Sequence, residues 1–149
     1  MRCLVAVDGS SESETALAFA TDIADATDGA ITMVHAVDPT VYEEGGTEPI
    51  SSLSDADQRL IIESVEEAEQ RGLDLLDEAA AFADELGHSV ETELLYGDPV
   101  AEISGYAESQ EFDIIFVGHH GLSQQTERVL GSIAKSLVER ATVPVTVVR

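Results

Sequence analysis

Two short stretches of this 149-residue chain carry residue types that could do chemistry. Asp8-Gly9-Ser10 follows a short apolar run, Cys3 to Val7. Gly118-His119-His120-Gly121 follows a second run, Asp113 to Val117, and nine residues later Gly131-Ser132 opens a helical pattern. Glycine lets backbone N–H groups approach a phosphate chain closely. A helix N-terminus adds further N–H groups and a partial positive charge, and Ser132 adds a hydroxyl donor. Two such elements facing one crevice suit a nucleotide. Sugar and first phosphate would sit at Gly118 and Gly121, and outer phosphates at Gly131 and Ser132. The plainer alternative is that these glycines only make turns and start a helix.

The elements that must position these turns alternate along the chain. Cys3 to Val7 reads as a strand, and Ser11 as the cap of a helix with Glu14 completing a capping box. That helix carries an apolar stripe at Ala16, Leu17, Ala20, Ile23 and Ala24. Ile31 to Val37 is a second strand, and Asp38 to Asp55 reads as a mobile loop. A long helix from about Ala56 to Leu86 has its stripe at Ile61, Val65, Ala68, Gly72, Leu75, Ala79, Ala83 and Leu86. Gly87 is a plausible residue just past its end. Val90 to Tyr96 is a third strand, and Asp98 with Pro99 opens a third helix. Asp113 to Val117, Ser132 to Arg140 and Val143 to Val148 complete the series as strand, helix and strand. Five strands alternating with four helices predict one doubly wound α/β domain over residues 1–149, with a parallel sheet and helices on both faces. Ligands of such sheets bind beyond the strand carboxyl ends where the winding reverses. That places the site at the turns after the first and fourth strands.

Charge is the unusual feature of the composition. Thirty Asp and Glu face seven Lys and Arg, for a formal net charge of −23. Nucleic acid and anionic membrane surfaces are disfavoured partners, because phosphate binding needs clustered Lys and Arg. Self-repulsion at this charge opposes the compact state in dilute buffer and is screened in molar salt. The composition therefore reads as adaptation to a salt-rich, halophilic cytoplasm. Cys3 is the only cysteine and cannot form an internal disulfide, which suits a reducing cytosol. The first ten residues do not read as a signal peptide, and no window reaches the ~18 apolar residues of a membrane span.

Gly118-x2-Gly121-x9-Gly131-Ser132 resembles the nucleotide-binding signature of the universal stress protein family, with every spacing matched. Further landmarks agree in order: Val5-Ala6-Val7-Asp8-Gly9-Ser10, Val34-His35-Ala36-Val37-Asp38, Gly97-Asp98-Pro99 and Val143-Pro144-Val145-Thr146-Val147-Val148. The resemblance covers the whole chain. It implies strand order 3-2-1-4-5 and ATP binding, with ADP or AMP as alternatives. Asp8 with its neighbours Ala6 and Val7, and the backbone near Ala36, would line the adenine and ribose pocket. The Val117-Gly118-His119 turn and Gly121 would hold ribose and α-phosphate. Gly131, Ser132 and the N–H of Ile133 would hold the outer phosphates, with Mg2+ or Mn2+. It further implies a homodimer through the last strand and a regulatory role in stress response. His119 departs from the family pattern, where serine is frequent.

Other readings of single residues stay open. Asp8 can cap a turn or read the nucleoside. His35 lies mid-strand and reads as a structural histidine. His119 and His120 are adjacent, a poor chelating pair, but one of them can touch phosphate or sugar. Arg128 could reach the outer phosphates or remain a solvated charge. Competing functions are a slow ATPase or phosphohydrolase, a nucleotidyl transferase, a non-nucleotide dimeric interaction module, a phospho-acceptor receiver and a flavin carrier. The enzyme readings lack a G-x-x-x-x-G-K-[ST] loop. The receiver reading lacks a second acid beside Asp8. The flavin reading lacks aromatics in the loops after the fourth strand.

Overall fold

The computed structural model describes residues 1–40, 64–120 and 130–149. Strands β1 (Arg2–Ala6), β2 (Ala30–Val37), β3 (Glu91–Tyr96), β4 (Ile114–Gly118) and β5 (Val145–Val148) form one parallel sheet. Its order is β3-β2-β1-β4-β5, the order that the resemblance implies. The described helices are α1 (Ser11–Thr27), α2 (Val65–Glu85), α3 (Pro99–Ser109) and α4 (Ser132–Arg140). Most of the expected loop 38–55, the first turns of the expected long helix, Gly121 and Arg128 lie outside the described residues.

The central strand shows why the sheet is covered on both faces. Leu4 and Ala6 of β1 join a core with Ile103 of α3 and Leu137 of α4. Cys3 and Val5 point the other way, into a core with Leu17 of α1 and Leu76 of α2. A strand buried on both sides reads as a continuous apolar run, which is what residues 3–7 are. Leu4 and Leu17 are fully buried. Truncating either to alanine is expected to cost about 2–5 kcal/mol. Burial also pushes the Cys3 thiol above its usual range, so it stays protonated and inert at neutral pH.

The helix ends differ from the sequence expectation in one informative way. Ser10, not Ser11, is the cap of α1. Its extended backbone (φ −78°, ψ 159°) lets its Oγ accept from the N–H of Ser13 at 3.1 Å. Asp8 selects this residue, because its Oδ1 accepts both the N–H of Ser10, at 2.9 Å, and its hydroxyl. A reciprocal capping box occurs instead at α2, between Ser64 and Glu67. Along α2 it is Leu76 rather than Leu75 that is fully buried, and Leu86 is exposed. The helix ends at Gly87 as expected, with φ +86° and the N–H of His88 reaching back to the carbonyl of Ala83. Asp98 caps α3 by accepting from the N–H of Ala101 at 3.0 Å.

This topology makes the crevice. From β1 the chain turns into α1 on one face, while α4 covers the opposite face. β1 and β4 are neighbours in the sheet. Their carboxyl ends therefore flank the point where the winding reverses, which is where open α/β sheets bind ligands.

Candidate functional site

A cleft of about 770 Å³ lies at that point, within the size range of small-molecule sites. One wall is the turn after β1. Gly9 there adopts φ +82°, a conformation that glycine takes without penalty. It lets the chain turn sharply enough for Asp8 and Ser10 to bond each other. Asp8 thus spends one oxygen on helix capping while its side chain also borders the cleft. The two readings of Asp8 are compatible in the same structure.

A second wall is the start of α4, where Gly131, Ser132 and Ile133 line the cleft. Gly131 is the cap residue, and among the described residues no side chain caps the helix's first N–H groups. Every other described helix has a serine or aspartate in that role. The backbone of His119 straps this helix into place. Its carbonyl accepts the N–H of Gly131 at 2.8 Å, and its own N–H donates to the carbonyl of Val148 in β5 at 2.8 Å. The fit is tight, since a Cβ on Gly131 would fall 2.9 Å from the Cα of His120. Gly118 is equally constrained, because a Cβ there would lie 2.8 Å from the carbonyl carbon of Glu12. Both glycines permit close backbone approach within the protein itself.

The third wall comes from α2 and was not legible as part of a site. Arg71, Asp74, Leu75 and Glu78 line it. Positions 71, 74, 75 and 78 share one helical face by their spacing of three and four. That face adjoins the apolar stripe at Gly72, and this was the available signal. Leu75, read from its spacing as part of the apolar stripe, packs against the core while also lining the cleft, and Leu76 is the more deeply buried.

The structure brings Ala6, Val7, Asp8, Val117, Gly118, Gly131, Ser132 and Ile133 to one cleft. Ala36 does not line it. Its side chain packs on the core beneath α3, and its neighbour His35 faces the cleft instead. His35 Nδ1 donates to the carbonyl of Val7 at 2.9 Å, so this histidine ties β2 to the end of β1. His119 is buried and off the cleft, whereas His120 lines it. Gly121 falls outside the described residues.

The model of the universal stress protein family matches residues 1–149. The chain belongs to the universal stress protein family. Universal stress protein YxiE of Bacillus subtilis is 30% identical over 148 residues, covering 99% of this chain and 98% of that protein. Among solved structures, the universal stress protein UspA from Lactobacillus plantarum superposes with a TM-score of 0.74 at 24% identity, covering 100% of this chain and 97% of the other. A universal stress protein solved in complex with cAMP has a TM-score of 0.68 at 25% identity, covering 100% and 97%.

Proposed function

We propose that this universal stress protein binds an adenine nucleotide in the cleft between β1 and β4 and acts as a regulatory protein, not as a turnover enzyme. The observation that carries the reading is the start of α4. It is the one described helix without a side-chain cap, and its first residues face the cleft. Free N–H groups at a helix N-terminus bind phosphate oxygens. The spacing of Gly118, Gly121 and Gly131-Ser132 and the cAMP complex of a relative support the same ligand class. In this reading the base and ribose lie towards Val7 and Asp8, with Asp8 Oδ2 accepting from a ribose hydroxyl. The phosphates lie at Ser132 and Ile133. ATP is the leading ligand, with ADP or AMP the alternatives.

No group of three or more His, Cys, Asp or Glu that could hold a metal ion occurs among the described residues. The protein side chains described therefore do not form a site for Mg2+ or Mn2+ by themselves. A divalent cation in this reading arrives with the phosphate chain. We further propose that β5, whose four residues are half-buried at the sheet edge, pairs with a second copy. None of the described helices is long and apolar enough to cross a membrane, and the acidic charge argues against nucleic acid as a partner. A cytoplasmic setting and a halophilic source fit the composition.

Mass spectrometry of small molecules released by acid from freshly purified protein tests the ligand class. An adenine nucleotide near one per chain is the expected result. Native protein that carries none, and takes up none when incubated with ATP, ADP, AMP and cAMP, would sink the reading.

A further inference from the structure

His120 stands out in the cleft for a reason that the signature does not cover. Its side chain is mostly buried and borders the same space as Gly131 and Ser132. Its Nδ1 is sealed from solvent and has no hydrogen-bond partner among the described residues. Glu12, in the first turn of α1, brings Oε1 to 3.6 Å from that nitrogen, a few tenths of an ångström beyond hydrogen-bond range. A buried polar nitrogen without a partner is costly, so the geometry is poised to tighten.

We propose that His120 is a phosphate-reading side chain, and that nucleotide binding draws one proton onto its ring. The inference rests on the nucleotide reading above. When a phosphate group arrives beside Ser132, Nε2 takes a proton from solvent and keeps it, and this Nε2–H hydrogen-bonds to a phosphate oxygen. Nδ1–H closes onto the Glu12 carboxylate. The imidazolium is then held between two anions, with Glu12 acting as a positioning residue. Nothing else is bonded or released, and the net change is one proton taken up per site.

The surroundings favour this charge. From α1, Glu12 faces the ring at 3.6 Å. From the turn after β4, the His119 ring lies edge-on with its centroid 5.0 Å away. At the start of α4, Ser132 and Ile133 bring backbone N–H groups but no ionisable side chain, the Gly131 N–H being held by the His119 carbonyl, and Lys135 is exposed further along the helix. Across the cleft stand Asp8 after β1, His35 of β2, and Arg71, Asp74 and Glu78 of α2. Carboxylates outnumber cations in this set, so a ring protonated on binding gives the phosphate a counter-charge that is scarce in this composition. Affinity should therefore be greater at low pH than at high pH.

Calorimetry of ATP and of adenosine, in two buffers of different ionisation enthalpy at about pH 7, reads the protons directly. The parent should take up a substantial fraction of a proton with ATP and none with adenosine. His120→Gln should abolish that uptake and weaken ATP binding about tenfold at pH 6, the size of one lost charge-assisted hydrogen bond, with little change near pH 8.5. The ligand's own protonation is common to parent and variant and cancels. Glu12→Gln should reduce the uptake and flatten the pH profile. His88→Gln is the control, since His88 pairs with Asp25 at 3.1 Å outside the cleft, and uptake should persist. Uptake unchanged in His120→Gln, or absent in the parent, overturns the proposal while nucleotide binding stands. Uptake lost in His120→Gln but unchanged in Glu12→Gln overturns the role of Glu12. Absence of ATP binding at any pH overturns both this inference and the nucleotide reading.

Discussion

At the scale of single residues, the site is built from atoms that serve structure and ligand together. Asp8 bonds Ser10 and also borders the cleft. Asp8→Ala is expected to lower stability by about 1 kcal/mol through the lost support of the cap, and also to weaken nucleotide binding. Thermal unfolding and calorimetry on the same sample separate the two effects. A loss of stability with unchanged affinity would reduce Asp8 to a capping residue. Gly131 makes a sharper case. On its place in the glycine signature alone, Gly131→Val would fill phosphate space and spare the fold. The approach of 2.9 Å to the Cα of His120 changes that expectation. Even Gly131→Ala should displace the start of α4, lowering stability by about 1–3 kcal/mol and affinity by at least about tenfold. Parent-like binding by Gly131→Val would show that the phosphate path lies elsewhere.

At the scale of elements, the contrast between α1 and α4 is the main finding. The N-terminus of α1 is closed by Ser10, with Asp8 behind it, while that of α4 has no side-chain cap among the described residues and lies beside the cleft. Ser10→Ala should cost about 1 kcal/mol of stability and leave the α4 N–H groups untouched. A urea denaturation midpoint that does not move would contradict the assignment of the cap. Much of this plan was legible in the sequence. The run Cys3 to Val7 and the segment Asp113 to Val117, apolar after its first residue, named the two strands that flank the cleft, because strands buried on both faces leave a near-continuous apolar record. The pair Asp98-Pro99 named its helix start outright. Ser10 was missed because its selection depends on a carboxylate two residues earlier, which is a three-dimensional bond and not a spacing. The α2 wall was missed for a related reason. Arg71, Asp74 and Glu78 look like any charged helix surface until the helix is laid beside the ends of β1 and β2. His119 and His120 could not be told apart by sequence, because their directions are decided by the strap that binds His119 to Gly131 and Val148.

At the scale of the whole molecule, charge and assembly set the conditions under which the site works. β5 lies at the sheet edge with its residues only half-buried. Pairing with a second copy would cover an association-prone edge. Light scattering in high salt should report a dimer, and a lone 15.8 kDa species would count against that interface. The net charge of −23 opposes both compactness and the approach of an anionic ligand. The N–H contacts at α4 act over a few ångströms, whereas the repulsion acts over the Debye length, which falls from about 10 Å at 0.1 M to about 3 Å at 1 M salt. Raising KCl should therefore raise the melting temperature, and a flat or falling profile would contradict the halophilic reading. The most direct measurement of the central claim is a calorimetric titration of ATP, with divalent cation in excess, repeated from about 0.1 M to about 2 M KCl. A phosphate cradle of backbone N–H groups predicts saturable binding, one nucleotide per chain, that tightens as salt rises. Binding that weakens with salt would assign the phosphates to side-chain cations, and absence of binding from micromolar to millimolar ATP would contradict the site itself.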